Sequence, residues 1–203
     1  MSELKISLVR HGKVNGKAAL YGHTDIALSE QGKHDLTNTL RNLHRDEPFV
    51  RVISSPLIRC SALAAEFSQQ HKLPLQIEPA MKEMDFGDWD GIAFDELGDE
   101  WKKLENFWQS PHSVQPPGGE SLNAFAARII NAWELLIRNC GDGHQLLVCH
   151  GGVIRIIIAH LLKIDWCNPA LFKQLHIDYA SHTRVEIGNY PNESPIIKWI
   201  GAR

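Results

Sequence analysis

The chain has 203 residues, 43% hydrophobic and 22% charged, with 21 Lys and Arg against 24 Asp and Glu for a net charge of −3. This composition excludes a disordered or collagenous chain, and the slightly acidic balance excludes a strongly basic nucleic-acid binder while leaving room for a local basic pocket. The greasiest run, Val153 to Leu162, is shorter than a membrane span and contains Arg155 and His160, so neither a nucleic acid nor a membrane is expected as a partner.

The first element is a strand carrying Leu4, Ile6, Leu8 and Val9, which stops at Arg10-His11-Gly12. Residues 13–28 are polar and Gly-punctuated and read as a loop. Ser29 caps a helix with a Leu36, Leu40, Leu43 stripe. Phe49 to Ile53 is strand-like, and Ser54-Ser55-Pro56 then predicts a helix with proline at its first position and Arg59 in its first turn. Leu75 to Ile77 is a short strand. Residues 81–120 are irregular, with one helix around Trp101 to Trp108, and are expected to cover an active site. Ser121 starts the clearest helix, through Phe125, Ile129, Trp133 and Leu136. Gln145 to Cys149 is a buried strand ending at His150-Gly151-Gly152. Val153 to Leu162 reads as a buried helix, with a strand as the alternative, and Thr183 to Ile187 and Pro195 to Ile200 as strands.

This alternation predicts one α/β domain over residues 1–203, a three-layer α/β/α fold with a mostly parallel central sheet. Ligands in such sheets bind beyond the carboxyl ends of the strands, where His11 and His150 both fall. Four cysteines without CxxC or zinc-knuckle spacing fit a reduced compartment, and the charged N-terminal run is unlike a signal peptide, so a cytoplasmic location is expected.

Imidazole titrates near neutral pH and serves as base, acid or nucleophile. Two histidines satisfied in turns are the bland alternative. Glycine beside each permits a sharp turn and close ligand approach, and Arg10 adds a fork of donors suited to phosphate oxygens. A surface salt bridge is the bland reading of Arg10 alone.

Together, Leu8-Val9-Arg10-His11-Gly12, the block Ser54-Ser55-Pro56-Leu57-Ile58-Arg59-Cys60-Ser61-Ala62, the block Glu83 to Gly91 and Val148-Cys149-His150-Gly151-Gly152 resemble, in order, the four blocks of the histidine phosphatase (phosphoglycerate mutase-like) superfamily. The resemblance implies a metal-independent phosphomonoesterase without a cofactor. His11 would be phosphorylated on Nε2, with its other nitrogen oriented by a backbone carbonyl, while Arg10, Arg59 and His150 surround the phosphoryl oxygens. Spacing alone does not choose the proton donor among Glu83, Asp85, Asp88 and Asp90; the family block places it at Glu83. Phe86 and Trp89 are read equally as a wall fixing this loop or as ordinary core.

Ala19 to Asp25, with Leu28-Ser29 and Gly32, and Pro117-Gly118-Gly119-Glu120-Ser121 resemble the alpha-ribazole phosphatases of cobalamin assembly. That branch implies a small phosphate ester, alpha-ribazole 5'-phosphate, entering past Tyr21, Gly22, Trp89 and Glu120, with Tyr21 and Trp89 stacking on the base or only packing. Lys13, Val14 and Lys17 depart from the mutase form of the first block. The other readings are a broad-specificity or sugar-phosphate phosphatase, a phosphoglycerate mutase and a noncatalytic phosphoprotein-binding protein.

Overall fold

The computed structural model describes residues 4–188 and 194–203. Six strands, β1 (Leu4–Arg10), β2 (Phe49–Ser54), β3 (Leu75–Ile77), β4 (Gly143–Cys149), β5 (His182–Ile187) and β6 (Ile196–Ala202), form one sheet in the order β3-β2-β4-β1-β5-β6. The pairs among β1 to β4 are parallel, whereas β5 is antiparallel to both β1 and β6. This is the expected three-layer arrangement.

Strand β1 is apolar on both faces because both are covered. On one face Val9 packs with Leu36 and Leu40 of α1 (Glu30–Asp46) and Leu63 and Phe67 of α2 (Ile58–His71). On the other, Ile6 and Leu8 meet a core shared by α3 (Glu100–Gln109), α4 (Leu122–Asn139) and α5 (Gly151–Leu162), through side chains that include Leu104, Phe125 and Ile154. Ile6 and Leu8 are fully buried, so truncating either to Ala removes about 2–5 kcal/mol.

Ser29 and Ser121 cap α1 and α4 as their spacing predicts, each accepting a backbone N–H three residues on. Two helix starts differ from expectation. Helix α2 begins at Ile58 with Leu57 as its extended cap, so Pro56 precedes the helix instead of opening it, and the Ser55 hydroxyl, which accepts the Leu57 N–H at 3.4 Å, also lies 2.8 Å from His150 Nε2. Helix α5 begins at Gly151, two residues earlier than the apolar run suggests. A four-residue helix, α6 (Ala170–Lys173), has no counterpart in the sequence reading.

The register of β1 against β4 fixes the site. Arg10 is paired with Cys149, and the His11 N–H donates to the Cys149 carbonyl at 3.0 Å. His11 and His150 therefore leave adjacent parallel strands side by side.

Candidate active site

The His11 and His150 ring centroids are 5.2 Å apart. His11 Nδ1–H donates to the Gly12 carbonyl at 2.7 Å, which leaves Nε2 with a free lone pair. Burial, followed by the charges of Arg59 and Arg10, holds its pKa well below the usual histidine value. The imidazole is neutral at physiological pH, as a nucleophile must be.

Two arginines flank it. The Arg10 guanidinium lies 3.8 Å above the centre of the Tyr179 ring and donates through Nη1 to the Ile177 carbonyl. Its Nε is buried without a protein partner. Arg59, at the start of α2, is fully buried and donates to the carbonyls of Tyr21, Gly22 and Thr24 at 2.9, 2.6 and 2.9 Å. Its Nε–H donates to His150 Nδ1 at 3.3 Å, which puts the His150 proton on Nε2 and directs it to Ser55 Oγ. Burial and the same two arginines also depress the His150 pKa. The cationic charge of the pocket is thus arginine charge.

Glu83 reaches this cluster from the irregular segment. Its Oε2 accepts the Gly152 N–H at 2.9 Å, in the first turn of α5, and its Oε1 accepts the Met84 N–H at 3.1 Å. A carboxylate is favoured at a helix N-terminus, where backbone donors lack intrahelical partners. The other carboxylates of the segment are occupied elsewhere. Asp90 accepts the N–H groups of Gly22, His23 and Thr24, Asp85 accepts that of Gly87, and Asp88 is exposed.

Arg128 on α4 holds the Glu83 segment from behind, donating to the carbonyls of Ala80, Lys82 and Glu83 at 2.7, 3.1 and 3.3 Å. It also pairs with Glu120, whose Oε1 accepts the Asp85 N–H at 2.9 Å. Glu120 thus clamps the loop that carries Glu83 and Asp85. Of the two expected readings of Trp89, packing is the one its burial fits. This residue is 1% exposed, packs edge-on against Phe107 and donates Nε1–H to Glu100, so neither ring face is open for stacking. Tyr21 donates its hydroxyl to the Lys17 carbonyl, and Gly22 serves through its backbone, since a Cβ there would lie 2.0 Å from the Met84 carbonyl oxygen.

A cavity of about 210 Å³ opens beside Glu83, Gly152 and Arg155. Its other walls are apolar, with Phe107, Trp108 and Pro111 supplied by the 81–120 segment. Arg155, whose Nε–H donates to the Leu175 carbonyl, and Tyr179 are site residues the sequence did not mark as such. Among the described residues, no group of three or more His, Cys, Asp or Glu side chains is placed to hold a metal ion, and no helix is long and apolar enough to cross a membrane. The four cysteines are free thiols.

Residues 6–196 match the profile of the histidine phosphatase superfamily, branch 1. A 2,3-bisphosphoglycerate-dependent phosphoglycerate mutase of Methylobacterium radiotolerans is 32% identical over 86% of this chain and 85% of its own. The adenosylcobalamin/alpha-ribazole phosphatase of Salmonella typhimurium is 33% identical over 79% and 81%, respectively. The structure of Bacillus stearothermophilus YhfR superposes with a TM-score of 0.86 at 22% identity, covering 98% of both chains, and shows the same fold. The chain spans about half the length of some curated relatives: it covers 48% of a bifunctional protein of Mycobacterium tuberculosis, at 27% identity over 87% of this chain.

Proposed function

The chain belongs to the histidine phosphatase superfamily, branch 1, and we propose that it hydrolyses phosphate monoesters through a phosphohistidine at His11. The observation that carries this reading is the Nδ1–H donation from His11 to the Gly12 carbonyl, which leaves a neutral Nε2 between two arginines. Nε2 attacks phosphorus in line as the P–O bond to the alcohol breaks, and Glu83, after taking up the proton of the bound ester monoanion, delivers it to the departing oxygen. Water then gives a proton back to Glu83 and attacks phosphorus, the P–N bond breaks, and inorganic phosphate leaves.

Arg10 and Arg59 carry the charge that stabilises the trigonal phosphoryl group. The unpartnered, buried Nε–H of Arg10 suits an oxygen ligand, because a donor left without one is costly. His150, held between Arg59 and Ser55, keeps Arg59 oriented and closes the second side of the cradle. With two guanidiniums in place, the reading requires neither a metal nor another cofactor, and activity should survive exhaustive chelation.

For the substrate we favour alpha-ribazole 5'-phosphate. Support comes from the resemblance of residues 19–25 and 117–121 to that branch and from the likeness to the Salmonella phosphatase; the departures at Lys13, Val14 and Lys17 weigh against mutase activity. The deciding experiment is rapid quenching with an ester labelled on phosphorus. Acid-labile, base-stable label on His11, absent in His11→Ala, is expected. Label elsewhere, or turnover by His11→Ala, would refute the mechanism. A preference for 3-phosphoglycerate over alpha-ribazole phosphate would refute the substrate assignment alone.

A further inference from the structure

Among the described residues, three other than glycine adopt a left-handed backbone: Lys72, Lys163 and Ala180. Lys72 and Lys163 are exposed caps at the ends of α2 and α5, where that conformation is ordinary. Ala180, at φ +57, is buried in the turn that leads into β5. An L residue there crowds its Cβ against the following carbonyl. Such strain persists only where the surroundings enforce it, and it gathers at working sites.

The reversal at Ala180 lets the turn grip the end of β1 at several points. The Ala180 N–H donates to the His11 carbonyl at 3.1 Å, and the Ser181 carbonyl accepts the Arg10 N–H at 3.0 Å. On the other side of Ala180, the Ile177 carbonyl accepts Arg10 Nη1–H and the Tyr179 ring lies against the guanidinium. The main chain of His11 and both ends of Arg10 are therefore held by residues 177–181.

Two contacts oppose the strain. The Ala180 methyl packs in the core with Val9, Leu36 and Leu40, and the Ala180 carbonyl accepts the Thr39 hydroxyl of α1 at 2.8 Å. Beside this bond, a cavity of about 220 Å³ lies against Thr39, Tyr179 and Ala180, so packing does not fill that side of the turn. The bond also departs from what a helical threonine usually makes. Thr37, two residues earlier, donates to the Lys33 carbonyl of its own helix, the common local choice; Thr39 donates across to another element instead.

We infer that Thr39 is a positioning residue for the phosphoryl site: its bond to the Ala180 carbonyl holds the strained turn that sets Arg10 and His11. The inference rests on the phosphohistidine reading and adds a residue that touches no substrate. Arg10 and His11 meet the phosphoryl group whatever alcohol it carries. Loosening the turn should therefore weaken binding of a phosphoryl mimic and slow phosphorylation by every ester alike, unlike a disturbance of Glu83, which falls hardest on alkyl esters.

The test measures the inhibition constant of orthovanadate, which imitates the trigonal phosphoryl group, and single-turnover phosphorylation by ethyl phosphate and phenyl phosphate. Each variant is first verified as folded by thermal melting. In Thr39→Val, which keeps the branched shape without the donor, the vanadate constant should rise about three- to tenfold, the scale of one net hydrogen bond. Phosphorylation should fall by a similar factor with both esters. Thr39→Ala, which adds no methyl beside the carbonyl, should match it. Thr39→Ser, which restores the hydroxyl, and Thr37→Val should stay near the parent. Partial unfolding alone lowers the fraction of active enzyme and leaves the vanadate constant of the remainder unmoved. An unmoved constant in Thr39→Val and Thr39→Ala, an equal weakening in Thr39→Ser or Thr37→Val, or a loss confined to the ethyl ester would overturn the role of Thr39; label trapped on His11 in the parent would leave the phosphohistidine reading standing. A parent that forms no label on His11 would overturn both.

Discussion

The Glu83 carboxylate is seated on the backbone N–H of Gly152, and nothing larger than glycine fits beneath it: a Cβ at residue 152 would lie 2.3 Å from Glu83 Oε1. Gly152→Ala therefore moves the carboxyl while improving the helix, since Ala is favoured over Gly in a helix by about 1 kcal/mol. The expected result is a melting temperature no lower than the parent's with kcat on an alkyl ester reduced about 10²-fold, the usual scale of acid-base catalysis. An aryl ester with an activated leaving group should lose less in the phosphorylation step. Full activity of the variant on the alkyl ester would contradict the placement of the acid.

Arg128 predicts a second separation between stability and chemistry. Because it ties the carbonyls of Ala80, Lys82 and Glu83 to Glu120, Arg128→Met should reduce alkyl-ester turnover more than aryl-ester turnover, the same pattern expected of Glu83→Gln. Arg128→Lys, which retains the charge but not the planar fork, should recover only part of the loss. A uniform loss on both esters would assign Arg128 to scaffold maintenance.

Removing the ring under Arg10 should weaken phosphoryl binding. A cation over an aromatic face contributes roughly 0.5–2 kcal/mol, so Tyr179→Leu should lower kcat/KM by about three- to thirtyfold, whereas Tyr179→Phe, which keeps the ring, should stay near the parent. If both variants behave alike, the stacking at 3.8 Å has no part in holding Arg10.

Stability should fall in mild acid because of a histidine at the far end of the sheet. His144 Nδ1–H donates to the Glu47 carbonyl while Nε2 accepts from Arg184, and burial followed by the Arg184 charge lowers its pKa to about 4. The unfolded chain binds a proton near pH 6.5 that the folded chain refuses until about pH 4, so the stabilisation is complete above the first value and lost on descending to the second. The difference corresponds to about 3 kcal/mol. His11 and His150, also depressed, act in the same direction. Denaturant titrations from pH 7 to 4 should show a shallower decline for His144→Gln than for the parent; identical declines would rule out this proton linkage.

Much of the site is legible because its chemistry stands where regular elements end. His11 and His150 follow apolar strand runs, and Arg59 stands near the start of an apolar helix. What escaped the sequence depends on approach between distant segments. Tyr179 reaches Arg10 from the turn before β5, with no periodic pattern to announce it. Arg128 looks like a solvent-facing residue of an amphipathic helix until the 80–83 carbonyls are seen above it. Trp89 sits in a three-residue 3-10 turn, where no periodicity separates a buried ring from an exposed one. Proline at position 56 signals a helix start correctly in kind but not in place, since Leu57 is still extended and the helix opens at Ile58.

The way Arg59 is anchored bears on how such a protein can change over evolutionary time. Its guanidinium is held by main-chain carbonyls at positions 21, 22 and 24, and these in turn are fixed by Asp90 through backbone N–H groups of residues 22–24. The side chains at 21, 23 and 24 make none of those bonds, although the Tyr21 hydroxyl donates to the Lys17 carbonyl and His23 Nδ1 lies 3.3 Å from Asp85 Oδ2. Saturation mutagenesis should therefore find Gly22 and Asp90 intolerant and their neighbours permissive, so that this loop can be rewritten for new molecular shapes while the phosphoryl chemistry passes unaltered from one descendant to the next.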